Sequence, residues 1–241
     1  MRGADDLPAL SRYTFGTMSL GRNSVCMEED VSVARAAMDA GVWFHTSREY
    51  GGGGTFSVLR RAFDADRPHV PRCIFKIRCD TAASIRSDVE DACRRLALER
   101  LDIAQLCRDV HDKRQIVDDF LAEGPMWQTC RELKENGRVG NFVMEVFATF
   151  SADALRAVRN HMFDGYILYY SLLDRQMTNA LYDVAQAEQV PLLAMRVLCG
   201  GLLDIDRARQ ASAKRPGAPE LARRKMLAPL FERSGCATWQ E

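Results

Sequence analysis

The stretch Phe44-His45-Thr46-Ser47-Arg48-Glu49-Tyr50-Gly51-Gly52-Gly53-Gly54 decides how this chain is read. It begins in a short apolar run, 42–46, with the length and composition of a buried strand. It then passes through Arg48, Glu49 and Tyr50 into four consecutive glycines. In parallel α/β folds, functional side chains gather where strands end and loops begin. This strand end is therefore the first place to look for chemistry.

Outward from it, short apolar runs at 13–20, 73–79, 101–107, 141–147, 165–172 and 191–198 read as further strands. Helix-period segments separate them at 30–40, 56–63, 82–97, 151–161 and 179–189. In 82–97, Ile85, Val89, Cys93 and Leu96 fall on one face. Gly124-Pro125 splits the region between the fourth and fifth strands into two helical pieces. Residues 211–219 read as a polar loop and 220–233 as a basic helix. Alternating strands and helices imply parallel pairing with crossover helices. Seven such units in series favour an α/β barrel of TIM type over a doubly wound sheet. No G-x-G-x-x-G follows the first strand, against a dinucleotide-binding sheet. The expectation is one domain over 1–241, an incomplete (β/α) barrel with seven of eight units.

Composition narrows the function classes. The 241 residues carry 33 basic and 33 acidic side chains, so no net field draws nucleic acid or anionic membrane. No apolar run reaches membrane-spanning length, and the N-terminus lacks a signal-peptide core. A cytoplasmic protein is expected. The eight cysteines form no C-x-x-C pair and read as reduced thiols. The four histidines are scattered, so no metal site is expected.

The segment quoted first resembles the signature of aldo-keto reductases, F-D-T-A-x-x-Y-G. Phe15-Gly16-Thr17-Met18 resembles that family's first strand. Arg94-Arg95-Leu96 with Leu101-Asp102, the 133–139 stretch L-K-E-N-G-R-V, and Gly200-Gly201-Leu202-Leu203 resemble later elements in the same order. The resemblance is clearest over 13–203. It implies a catalytic tetrad of Asp, Tyr, Lys and His at positions held here by His45, Tyr50, Lys76 and Cys107. Half of the set is kept and half is replaced. A carboxylate beside an ammonium stabilises its charge, and an imidazole supplies no such charge. A thiol is a weak hydrogen-bond donor and does not copy imidazole.

The resemblance also implies nicotinamide contacts from a Ser-Asn pair, a Gln and an aromatic. Glu145, Val146, Ile167 and Met195 stand at those positions. The family's last strand–helix pair, which grips the adenosine phosphate, has no counterpart before Glu241. An open barrel leaves two strand edges, which a homodimer, the N-terminal segment or the last helix could cover.

The expected site lies at the carboxyl strand ends. Tyr50, Lys76, His45 and Glu145 are the candidate catalytic residues. Arg48, Arg78, Cys107, Tyr170 and Arg196 are the candidate substrate contacts, with Arg108 and Tyr169 at the same strand ends; His111, four residues after Cys107, falls beyond the expected end of its strand. The bland readings stand beside these: Tyr50 and Lys76 as relics, Cys107 as an inert thiol, and Arg78 or Arg196 simply paired with Glu145. The function expected is a cofactor-independent lyase, isomerase or cyclase, moving protons on a small anionic or carbonyl-bearing compound. Two alternatives are an NADPH-dependent carbonyl reductase and a non-catalytic regulatory subunit.

Overall fold

The structure is a computed structural model that describes residues 7–107, 114–146, 151–175, 177–215 and 217–236. Seven strands form one sheet: β1 (Thr14–Gly16), β2 (Trp43–Ser47), β3 (Cys73–Arg78), β4 (Leu101–Cys107), β5 (Val139–Val146), β6 (Gly165–Tyr169) and β7 (Leu192–Met195). They pair in chain order, and every pairing is parallel. The helices are α1 (Met27–Asp39), α2 (Thr55–Ala65), α3 (Ala82–Leu96), α4 (Arg114–Leu121), α5 (Pro125–Glu135), α6 (Ser151–Arg159), α7 (Asn179–Ala187), α8 (Ile205–Lys214) and α9 (Pro219–Ser234). The sheet curls into an incomplete TIM-type barrel. Among the described residues, β7 does not pair back to β1.

Period-two alternation sorts the strand residues into two cores. One set, including Phe44, Phe75, Ala104, Phe142, Met144 and Leu168, packs under the helices. The other set, Trp43, Ile74, Ile103, Val143, Ile167, Leu193 and Met195, fills the barrel interior. Leu7 and Leu10 of the N-terminal segment pack against that interior cluster. Helices α8 and α9 contribute to a third, separate cluster around Leu173, Cys199 and Leu202.

Local chemistry sets most boundaries. Thr81 and Ser84 form a reciprocal capping box at the start of α3. The Gly124-Pro125 break separates α4 from α5, and Asp119 of α4 accepts from the backbone N–H of Trp127 at 2.9 Å. Three expectations differ from the structure. The first strand is only three residues, because the chain turns at once and Leu20 N–H donates to the Thr17 carbonyl. The seventh strand stops at Met195, because Arg196 adopts φ +54°. Part of the expected 211–219 loop belongs to α8, whose N-cap Asp204 accepts from Arg207 N–H at 2.8 Å. The expected positions of Arg108, His111 and Phe147 lie outside the described residues.

All eight cysteines are free. No described helix is long and apolar enough to cross a membrane. Among the described residues, no group of three His, Cys, Asp or Glu could hold a metal ion.

Candidate active site

Alternation along neighbouring strands stacks a polar layer directly above the apolar barrel interior. His45 follows Trp43 by two residues, Lys76 follows Ile74, Gln105 follows Ile103, and Glu145 follows Val143. The parallel register sets Lys76 beside Gln105 and Arg78 beside Cys107. Tyr169 lies beside Met195. Residues scattered over half of the sequence thus share one end of the barrel.

Tyr50 reaches this layer from the loop after β2, and the glycines explain how. Gly51 and Gly52 adopt φ of +60° and +65°. A Cβ on Gly51 would lie 2.0 Å from the Leu20 carbonyl oxygen, and one on Gly54 2.2 Å from that of Gly21. The β1 loop and the β2 loop therefore touch backbone to backbone. Thr55 Oγ1 donates to the Leu20 carbonyl at 2.8 Å and locks the contact. The run is a packing device that fixes Tyr50. Gly51→Ala is expected to cost about 3 kcal/mol or more, from steric overlap added to backbone strain. Gly52→Ala, with nothing within 4 Å of its Cβ, should cost only about 1 kcal/mol. Thermal melts of the two variants test the difference.

The polar layer is tightly cross-linked. Lys76 Nζ pairs with Glu145 Oε1 at 3.4 Å. The Cys107 thiol donates to the other oxygen of Glu145. Gln105 Oε1 bonds His45 Nε2 at 2.7 Å, and Gln105 Nε2 faces Cys107 Sγ at 3.3 Å. The His45 and Tyr50 rings stand 6.2 Å apart, tilted by 55°.

Burial pushes the His45 imidazole down to about 4, with the Lys76 charge adding to the fall and Gln105 and Glu145 opposing it. His45 is therefore neutral at neutral pH and does not repel Lys76. Burial pulls the Lys76 ammonium down, but Cys107, Glu145, Tyr50 and Tyr169 together raise it above its ordinary value. Burial raises the Tyr50 hydroxyl, and Lys76 partly offsets the rise. At neutral pH the layer presents a protonated tyrosine beside a firmly cationic lysine.

Arg48 and Arg78 do not point freely into the mouth. Both converge on Asp88 of α3, each with a guanidinium nitrogen 2.7 Å from Oδ1. Arg78 also donates its backbone N–H to Asp88 at 2.8 Å. So the partner of Arg78 is Asp88 and not Glu145. Burial opposes ionisation of Asp88, but the hydrogen bonds and charge of Arg78, with Arg48, outweigh it and lower the carboxyl. Stability from this cluster is present above the unfolded carboxylate value of about 3.9 and is lost as pH falls through the lower folded one. Asp88→Asn is expected to cost about 1–3 kcal/mol at neutral pH, discounted because both arginines are a third or more exposed. The same substitution should flatten the loss of stability below about pH 4, read by urea melts across acid pH.

The tyrosine at the mouth is Tyr169. It packs against the interior cluster and lies in the electrostatic reach of both Tyr50 and Lys76. Tyr170 falls on the opposite face, bridges to Arg175, and stacks under that guanidinium at 5.3 Å. Arg196 is exposed and lies over the Tyr169 ring at 4.9 Å. Two residues, Gln105 and Asp88, escape a reading of the sequence, and of the two tyrosines expected at this strand end Tyr169 is the inner one. A signal exists for each. Gln105 is a lone amide in an apolar strand, two residues before Cys107. Asp88 interrupts the apolar stripe of Ile85 and Val89. Tyr169 continues the inward parity of Ile167.

The sequence model of the aldo/keto reductase family matches residues 12–238. No curated protein matches the sequence. Among solved structures, the chain resembles an aldo/keto reductase from Klebsiella pneumoniae in complex with NADP and acetate. The TM-score is 0.64 at 19% identity, over 86% of this chain and 73% of that one. It also resembles the glycerol dehydrogenase of Gluconobacter oxydans, with a TM-score of 0.68 at 22% identity, over 94% of this chain and 76% of that one. A holo aldo-keto reductase from Bacillus halodurans gives 0.63 at 19% identity, over 81% and 65%. These findings overturn the expectation of a cofactor-independent lyase, isomerase or cyclase, and with it the expectation of no cofactor. Four replaced side chains do not exclude a nicotinamide, because a mostly apolar ring is held by whole surfaces as well as by single polar contacts.

Proposed function

We propose that this chain, which belongs to the aldo-keto reductase family, reduces a small carbonyl compound with NADPH. The observation that carries the reading is the gathering of Tyr50 and Lys76 at one end of the barrel, Tyr50 against His45 with ring centroids 6.2 Å apart and Lys76 paired with Glu145 at 3.4 Å. NADP and NADPH in similar barrels support the choice of cofactor.

The residues present fit such a cofactor. A dihydropyridine is flat and largely apolar, and Ile167, Met195 and Tyr169 form an apolar wall adjoining the polar layer. The pyrophosphate needs cations, and two arginines flank the glycine turn after β7. Gly200 and Gly201 adopt φ of +65° and +86°. A Cβ on Gly200 would stand 3.6 Å from Arg196 Nη2, and one on Gly201 would stand 2.6 Å from Cδ of Arg207, a residue of α8. Arg196 and Arg207 are thus assigned to the phosphates.

NADPH, when bound, supplies the hydride. Tyr50 gives its hydroxyl proton to the carbonyl oxygen as charge develops there. Burial keeps that proton in place until it is needed. Lys76 then stabilises the tyrosinate left behind. Glu145 and Cys107 hold Lys76 in position, and neutral His45, fixed by Gln105, adds no charge. Arg48 and Arg78, tied to Asp88, are assigned to loop anchoring.

The test is a titration of NADPH against tryptophan fluorescence, with NADPH consumption followed over a panel of small aldehydes and ketones. Saturation at micromolar cofactor with turnover is the expected result. Absence of binding at millimolar NADPH would end the reading.

A further inference from the structure

The family resemblance expects the counter-ion of the active-site lysine on β2, where this chain has His45. A buried ammonium without a carboxylate is strongly unfavourable, so the missing charge must be supplied elsewhere or the lysine must lose its proton. Among the described residues, the carboxylate that meets Lys76 comes from the opposite side, from β5. We propose that the lysine counter-ion has moved across the barrel, so that Glu145 of β5 is the positioning residue for Lys76 and Tyr50 in this chain. This rests on the reductase reading above and names the part of that site which departs from its relatives.

Three observations carry it. Lys76 Nζ stands 3.4 Å from Glu145 Oε1, with side-chain exposures of 19% and 5%. The pair is thus largely removed from water, where the attraction is worth more than at a surface. Second, β4 lies between β3 and β5 in the sheet. A side chain that crosses from β5 to β3 must pass over β4. Gln105 is the register partner of Lys76 there, and Cys107, two residues further along the strand, is a small side chain whose thiol donates to the far oxygen of Glu145. The thiol meets one carboxylate oxygen and the ammonium meets the other. Third, His45 needs no negative partner. Its Nε2–H is donated to Gln105 Oε1 at 2.7 Å, the tautomer required because Gln105 Nε2 faces two sulfurs.

The charge on Glu145 acts on Tyr50 as well as on Lys76. With a neutral side chain at 145, one of the charges that oppose the lysine cation is gone, and the phenol ionises more readily.

The experiment measures tyrosinate absorbance against pH without cofactor, each protein being compared with its own Tyr50→Phe form so that only Tyr50 is read. Glu145→Gln is expected to move the Tyr50 ionisation to lower pH, and Glu145→Asp to leave it near the wild-type position. The decisive variant is the double substitution His45→Asp with Glu145→Gln. It returns a carboxylate to β2, within reach of the charge that His45 already feels from Lys76, and should move the ionisation back. In turnover, Glu145→Gln should lower kcat on the order of tenfold or more with a smaller change in KM, and the double variant should recover part of it. An unmoved Tyr50 ionisation in Glu145→Gln overturns the proposal, whatever the turnover shows. If Glu145→Gln does not fold, Glu145→Asp and the double variant decide the matter, since a counter-ion role requires both to titrate like wild type. A shift without NADPH binding in any variant would defeat the reductase reading and leave the counter-ion assignment standing.

Discussion

Tyr50→Phe is expected to lower kcat for carbonyl reduction on the order of a hundredfold or more, with NADPH affinity within about twofold of wild type. The substitution removes one oxygen and keeps the ring, so the packing against His45 survives. The group lost is the proposed proton donor. Arg196, just after β7, and Arg207, in α8, to which the phosphate contacts are assigned, are on other elements than position 50. A loss in kcat with unchanged cofactor titration separates a chemical role from a structural one. Unchanged turnover would remove Tyr50 from the mechanism. Burial raises the Tyr50 hydroxyl, so the wild-type enzyme should hold its activity through neutral pH and lose it only in the alkaline range, where the proton departs.

Lys76→Met should give the largest loss of stability, about 3–5 kcal/mol, because it takes the ammonium away from the buried carboxylate of Glu145. That carboxylate belongs to a residue only 3% exposed, and the weakly donating Cys107 thiol would remain beside it. Adding Glu145→Gln removes the buried charge and should recover most of the loss. A denaturant-melt cycle over wild type, both single variants and the double variant measures the coupling. A coupling near zero would mean that the ion pair does not form in solution.

Much of the barrel is legible in the chain because its signals are local. A strand buried on both faces reads as a short apolar run. A crossover helix reads as an apolar stripe, and a capping box such as that of Thr81 and Ser84 marks where one begins. Where a boundary differs from the sequence pattern, the local signal has a competitor. The apolar 191–198 run continues past Met195, but the positive φ of Arg196 ends the strand. The polar 211–219 stretch has the composition of a loop, yet Asp204 caps a helix that runs into it. The functional expectation fails for a different reason. Four substituted positions bear on the cofactor one at a time, whereas the apolar wall and the arginines over the glycine turn act as surfaces built by several elements.

From sequence alone came the alternation of seven strand–helix units and the strand ends that carry Tyr50, Lys76 and Glu145. The alternation follows from periodicity, a property of neighbours along the chain, and the choice of Tyr50 and Lys76 from the family resemblance. Only the tertiary structure decided which charges meet. It assigned Glu145 to Lys76, drew Arg48 and Arg78 onto Asp88, and turned Tyr169 rather than Tyr170 toward the mouth. Partners 69 residues apart, as Lys76 and Glu145 are, are chosen by sheet register and by the size of the side chain between them. Neither quantity exists until the strands are side by side.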